Sequence, residues 1–430
     1  MVELDVSIER RGVQISVGKI IGESHLDARF KYNEDYLSDT DAIPISVSLP
    51  LQEQFFSVVT TRTFFEGLLP EGFSRRALAI NMHEDEDDYI AILKELGSEC
   101  LGAIQILDGS DRIYKNEYRE LSLDRIKELA KEGATKSTDL LIETHLSLTG
   151  ASGKVGVYSN DDGKTWYLPV GCAPSTHILK QSHVRLNDIV VNEQLVLLAA
   201  KKLGIDVVDS KIIDTGSKRD DAILFSTKRY DRIINLDSQL IGNLPCPLRL
   251  HQEDFSQALG IPSKLKYEKA NKGYMRLIFD LIRHVSSNPI EDQLKLWDRV
   301  VYNYLIGNTD AHIKNYSLLY NSDLNSVRLS PAYDMISTII YKESTKSMSF
   351  SVGGEYIIDN ITDEHFRRAL KDVHLGERLA MDRYYNIKDR VGSAIKEAGE
   401  ELAASGYDNA AILADKIAAF PQITKKKDTI

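Results

Sequence analysis

The sequence predicts an α+β fold in which a β-rich first half is followed by a mainly helical second half. Up to about residue 229 most apolar residues come in short alternating runs, the period of a strand with one buried face. Beyond about residue 230 they recur at three- and four-residue intervals, the period of a helix with one buried stripe. The third observation is length: 430 residues exceed what one small core uses, so two or three lobes are expected. Hydrophobic residues at 43% and charged residues at 27% suit a chain that folds.

Taken in order, "VQISVGKII" and "PISVSLPL" read as strands within residues 1–107. "TRTFFEGLLPEGFSRRALAINM" has helical spacing broken at Pro70 and Gly72, so a helix, a turn and a second helix are expected. The acidic run from His83 to Asp88 reads as a solvated helix start, where negative charge suits the helix dipole. Across 108–229, "TWYLPVG" and "THILKQS" are strands, "NDIVVNEQLVLLAAKKLG" is one strong helix, and "SKIIDTG" and "AILFSTKRYD" are strands again. Across 230–430, amphipathic helices are expected at "EDQLKLWDRVVYNYLIGN", "TDEHFRRALKDV" and "NIKDRVGSAIKEAGEELAAS", and "KKKDTI" has the composition of a frayed tail.

A net charge of -11 argues against binding nucleic acid through the overall field, although a local basic patch stays open. Cys100, Cys172 and Cys246 are far apart and form no C-x-x-C, so neither a disulfide framework nor a zinc site is indicated, and they read as buried thiols. The opening "MVELDVSIERRGVQ" is charged where a signal peptide needs an apolar run, and no stretch has the length of a membrane span. A cytoplasmic location without membrane contact is expected.

Three clusters carry chemistry. In "HLSLTGASGKVGVY", Gly150, Gly153 and Gly156 fall three apart with Lys154 among them. Glycines let backbone N–H groups approach phosphate oxygens and a lysine adds a point charge. The pattern is neither G-x-x-x-x-G-K-[ST] nor G-x-G-x-x-G, and by itself a hairpin is the simpler reading. Next, Lys180 closes the apolar run of "HILKQS", and Glu193 follows thirteen residues later in the strong helix. A strand lysine paired with a helix glutamate holds the ATP phosphates in protein kinases, but most such residues are only solvated.

The third cluster lies in "YLIGNTDAHIKNYSLL", where Asp310, His312, Lys314 and Asn315 fall within six positions. Asp334 follows nineteen residues after Asn315 in "LSPAYDMIST". The kinase catalytic loop places an asparagine five positions after its aspartate, as here, with a later aspartate completing the magnesium site. One carboxylate must face the acceptor hydroxyl, while an amide oxygen and a second carboxylate bind magnesium. The stretch between Asn315 and Asp334 reads as a hairpin able to bring Asp334 back. No cluster decides alone, and His312 and Lys314 could equally be core and surface residues. Their order along the chain, glycine loop, strand lysine, helix glutamate, D-x-x-x-x-N and later Asp, is that of a kinase.

With these motifs the chain resembles the HipA family of bacterial serine/threonine kinases, the toxins of HipA/HipB toxin–antitoxin systems. The resemblance runs through "FEGLLPEG" (65–72), "LSLTGASGK" (146–154), "HILK" (177–180), "NE" (192 and 193), "KRYDR" (228–232), "RLHQEDFSQALG" (249–260), "LIGNTDAHIKN" (305–315) and "LSPAYDMIS" (329–337). It implies a bilobal protein-kinase-like fold: an extra N-terminal subdomain at 1–107, an ATP-binding lobe at 108–229 and a helical catalytic lobe at 230–430. It also implies that Asp310 is the catalytic base and that Asn315 and Asp334 hold Mg2+. The ATP-binding set it implies is Gly150, Ala151, Ser152, Gly153 and Lys154 in the loop, then Lys180, Lys228, Tyr230, Asp231, His312, Asn315 and Asp334. Lys228 to Tyr230 would grip adenine, and Asp231 would lie near the ribose.

The autophosphorylated serine falls at Ser147, with Ser152 a second candidate because it stands where the family usually has glutamine. Gly153 replaces an acidic residue, and Lys228 stands where a glutamate is familiar. The implied partners are a HipB-like helix-turn-helix antitoxin, DNA only through that antitoxin, and a protein substrate such as an aminoacyl-tRNA synthetase. Two other functions remain open to the residues: a kinase-fold enzyme acting on a small molecule or lipid, and a co-repressor that caps a DNA-bound antitoxin.

Overall fold

The structure is a computed structural model that describes residues 2–109, 115–132, 153–182, 186–269 and 272–424. The chain forms two compact units. One comprises Met1–His183, Ser226–Ser263 and Leu318–Val327, the other Val184–Phe225, Lys264–Ser317 and Arg328–Ile430. Both are discontinuous, a grouping made by contacts distant along the chain, whereas the sequence pattern suggested three consecutive spans. Among the described residues no helix is long and apolar enough to cross a membrane.

The first unit opens with an antiparallel sheet in the order Arg29–Tyr32, Val13–Gly22, Val2–Arg10, Ile104–Asp108. Leu4, Val6 and Ile8 are all buried, as the two-residue period of a strand with one covered face requires. Phe30 packs on Phe65 with ring centroids 5.3 Å apart. Phe65 belongs to the helix Val58–Glu66, which starts where the Ser57 hydroxyl accepts the Thr60 N–H at 3.0 Å. The helix, turn, helix expected here is Val58–Glu66 followed by Gly72–Met82, and Gly72 at φ +57° makes the break. The acidic run links two helices instead of forming one helix start. His83 ends the first in a left-handed conformation, and only Asp88 caps the next, Tyr89–Leu96, by accepting the Ala91 N–H at 2.9 Å.

"PISVSLPL" is not a strand. Pro44 and Pro50 have no N–H to give a ladder, and the segment turns so that Ile45 and Leu49 are buried. The turn also brings the Ser46 hydroxyl and the Val47 N–H to the Glu253 carboxyl at 2.5 Å and 3.1 Å, where the Tyr320 hydroxyl donates as well at 2.7 Å. Burial pushes this carboxyl up to about 7, against the pull of its donors. Its folded value lies above its unfolded one, so its contribution to stability is present below the ordinary carboxylate range and is lost as pH rises through about 7. The melting temperature should therefore fall between about pH 4.5 and about pH 7 and level off above, and Glu253→Gln should flatten that fall. An unchanged pH slope in the variant would rule out Glu253 as its source.

A buried ionic network ties distant parts of the first unit together. Glu99 accepts from Arg229 at 3.2 Å, Arg232 at 2.8 Å and Arg249 at 2.9 Å, and Arg249 also meets Glu9 at 3.1 Å. Asp231 accepts from Arg229 at 2.9 and 2.7 Å, from Arg232 at 2.9 Å and from the Gly102 N–H at 2.8 Å. Burial alone would raise the Glu99 carboxyl, but the guanidiniums of Arg232, Arg249 and Arg229 outweigh it and hold the group below the usual range.

The second unit is built on helices Ile189–Lys202, Tyr274–Val285, Pro289–Leu305, Asp363–Val373, Glu377–Ala404 and Asn409–Ala418. Pro289 opens its helix at the position where a missing N–H costs nothing. Trp297, fully buried, donates its indole N–H to the Ala380 carbonyl at 2.9 Å and packs edge-on against Phe366. The strands Ser317–Tyr320 and Val327–Leu329 form where a hairpin was expected. The spacing had not singled out Tyr274–Val285, although Tyr274, Met275, Ile278, Phe279, Leu281 and Ile282 form its buried stripe.

Candidate active site

In the second unit the helix Pro289–Leu305 is followed, after its cap Ile306, by Gly307, whose φ of +71° turns the chain sharply. A Cβ there would lie 2.3 Å from the Ile339 side chain, so only glycine fits. The Gly307 carbonyl accepts the N–H groups of Thr338 and Ile339 at 3.1 and 3.2 Å, and the Thr338 hydroxyl at 2.9 Å. That hydroxyl oxygen accepts the Thr309 N–H at 2.8 Å, and the Ser349 hydroxyl donates to the Thr309 carbonyl at 2.7 Å. The Asn308 side chain accepts the Asp310 N–H at 3.1 Å. The backbone entering the loop is thus clamped, and the Asp310 side chain stands exposed.

Beyond Asp310 the chain folds back in a short turn, Ile313–Asn315. The Asp310 carbonyl accepts the His312 N–H at 2.8 Å and the Asn315 side-chain N–H at 3.0 Å. The five-residue interval is therefore the length of this turn. With its Nδ2 on the backbone, Asn315 has the amide oxygen to offer elsewhere. The Tyr333 hydroxyl donates to the Lys314 carbonyl at 3.0 Å, so the residue before Asp334 sits on the same loop. Asp334 itself has φ +54°, a left-handed backbone that a non-glycine residue adopts at a cost of about 1–3 kcal/mol. Such strain clusters at functional sites. The segment after it is held by Asn192 of helix Ile189–Lys202, which exchanges hydrogen bonds of 2.9 and 3.0 Å with the Ser337 backbone.

The Asp310 carboxylate accepts the Tyr267 hydroxyl at 2.5 Å. His312, expected among the cofactor-binding residues, is buried with its ring edge-on to Tyr267, centroids 5.2 Å apart. The sequence offered no signal for Tyr267 or Thr338. Asn192 was within reach, because it lies in the quoted "NE" pair.

The first unit carries the other candidates. Lys154–Val157 pairs antiparallel with His177–Gln181, and the register sets Lys154 directly opposite Lys180. Residues directly opposite share one face of the sheet, so the register puts two positive side chains together, a placement that suits a phosphate. Gly153 adjoins Lys154 and is buried. Ser147, Gly150, Ala151 and Ser152 lie outside the described residues. Lys228 ends the strand Ile223–Lys228 and is exposed, and the Tyr230 hydroxyl donates to the Gln252 side chain. Asp231, expected near a ribose, is 1% exposed, and its carboxylate is engaged in the arginine network. Lys180 and Glu193 belong to different units, and both are buried.

No group of three or more His, Cys, Asp or Glu suited to a metal occurs among the described residues. Magnesium does not need one. It keeps waters and substrate phosphates and asks for one or two protein oxygens, which the Asn315 amide oxygen and the Asp334 carboxylate fit by chemical type.

Comparison with known proteins places these features in a family. Residues 146–399 match the HipA-like C-terminal domain and residues 11–107 the HipA N-terminal domain. Y4mE of Sinorhizobium fredii, which carries a kinase name, is 31% identical over 420 residues, 95% of this chain and 96% of that protein. The serine/threonine-protein kinase toxin HipA of Shewanella oneidensis is 24% identical over 412 residues, 92% and 90% of the two chains. The solved structure of HipA from Shewanella oneidensis MR-1, in complex with HipB and operator DNA, superposes with a TM-score of 0.77 at 20% identity. That match covers 96% of each chain and shows the α+β kinase-like fold expected from the sequence. From the N-terminal sheet to the loop that carries Asp310, the chain belongs to the HipA family.

Proposed function

We propose that this chain is an Mg-ATP-dependent serine/threonine protein kinase, the toxin of a type II toxin–antitoxin pair. The observation that carries the reading is Asp310: an exposed carboxylate on a backbone clamped before and after it, already accepting a hydroxyl. Asp310 takes the proton of the acceptor hydroxyl, and the clamp keeps its carboxylate placed for that transfer. Asn315 and Asp334 would hold magnesium, which when bound neutralises charge on the transferring phosphate. Lys154 and Lys180 meet the ATP phosphates, and Lys228 to Tyr230 line the adenine. The acceptor is a translation-related protein such as an aminoacyl-tRNA synthetase. A HipB-like helix-turn-helix antitoxin is the partner through which the chain reaches DNA, since a net charge of -11 disfavours unaided binding.

Autophosphorylation at Ser147 switches the enzyme off in this reading. A phosphate there adds about -1.5 to -2 charges three residues before Gly150, close in sequence to the groups that receive ATP. Incubation with labelled Mg-ATP and a cell lysate tests both parts. Label should enter a protein of the lysate, and the chain itself should gain one phosphate that maps to residue 147 and is lost in Ser147→Ala. Mapping to Ser152 would move the switch, and no label in any lysate protein would overturn the kinase reading.

A further inference from the structure

We infer that Tyr267 is an internal stand-in for the acceptor. Its hydroxyl occupies the place on Asp310 Oδ1 that a substrate hydroxyl takes, and it competes with substrate or water for that oxygen. The inference rests on the reading of Asp310 as the base. Tyr267 donates to Asp310 Oδ1 at 2.5 Å, the same bond from hydroxyl to carboxylate that a serine or threonine acceptor makes before transfer. Holding Asp310 in place does not require it, because Asn308 and Asn315 already brace Asp310 through its N–H and its carbonyl. Tyr267 acts on the reactive carboxylate.

The geometry allows Tyr267 to leave without disturbing the fold. Its neighbour Glu268 is anchored: the N–H donates to the Ser349 carbonyl at 2.8 Å, and the carboxylate accepts the Ser351 N–H at 2.8 Å and the Gly273 N–H at 2.5 Å. The Tyr267 side chain is 44% exposed. Its ring rests edge-on against His312, with the Lys266 ammonium 5.6 Å from its centroid. A rotamer change of Tyr267 therefore withdraws its hydroxyl from Asp310 Oδ1 while the backbone at Glu268 stays pinned.

The test uses the intact protein with Mg-ATP and no acceptor, reading released phosphate. Water then takes the acceptor's part: its oxygen bonds to the γ-phosphorus, the bond to ADP breaks, and its proton passes to Asp310. Tyr267→Phe removes the hydroxyl and keeps the ring on His312, so it should raise this hydrolysis about tenfold, the weight of a hydrogen bond to a charged group. No rise overturns the inference, and a fall does so by showing that Tyr267 positions Asp310. Phosphate found on Tyr267 itself also overturns it, because the residue would then be an acceptor and not a stand-in. Asp310→Asn run in parallel separates the two readings. If that variant hydrolyses ATP at the parent rate, Asp310 is not the base and this inference falls with it. If it is silent and Tyr267→Phe shows no rise, only the stand-in role fails.

Discussion

Asp310→Asn should lose phosphoryl transfer by on the order of a hundredfold or more while nucleotide affinity stays near that of the parent. The expectation separates chemistry from folding because of how the loop is held. Its braces use the backbone of Asp310 and the side chains of Asn308, Thr338 and Asn315, so an isosteric amide at 310 leaves them intact. The Tyr267 hydroxyl can still donate to the amide oxygen. What the amide cannot do is take a proton from an acceptor. The residues assigned to nucleotide and metal, Lys154, Lys180, Asn315 and Asp334, are untouched. Initial rates of transfer together with equilibrium nucleotide binding check this, and normal turnover would remove Asp310 from its role.

Arg229→Ala should destabilise the protein by about 3–5 kcal/mol, the cost of leaving buried charges without their partner. The Arg229 guanidinium gives two hydrogen bonds to Asp231, one to Glu99 at 3.2 Å, one to the Ser175 hydroxyl at 2.8 Å and one to the Cys100 carbonyl at 3.3 Å. Removing it leaves the buried network one positive charge short: Glu99 keeps Arg232 and Arg249, but Asp231 keeps only Arg232 among the guanidiniums, in an interior where both carboxylates are fully covered. Chemical denaturation should show the midpoint fall sharply. The exposed pair Arg219 and Asp221 is the control, because Arg219→Ala should leave the midpoint unchanged. Equal effects at the two sites would mean that the network carries no special weight.

The network also marks where sequence reading stops. "KRYDR" suggested an adenine and ribose contact, yet Asp231 is committed to Arg229 and Arg232 around Glu99, a residue far back in the chain. Short-range pattern cannot show this, because the sign and burial of a charge depend on what the fold brings to it. The failure of "PISVSLPL" as a strand is different: Pro44 and Pro50 were visible, and the buried partner Glu253 that the turn serves was not.

By itself the sequence determined what depends on neighbours along the chain. Strand and helix periods repeat every two or 3.6 residues, so most elements could be read from spacing alone. The interval from Asp310 to Asn315 was legible for the same reason, since it is one short turn closed by hydrogen bonds to the Asp310 carbonyl. The tertiary structure alone decided the register that sets Lys154 against Lys180, the clamp of Thr338 on the loop, and the Tyr267 hydroxyl on Asp310 from 43 residues away. These contacts arise when the core buries its apolar stripes and carries distant polar groups together, a result of packing that no local pattern encodes.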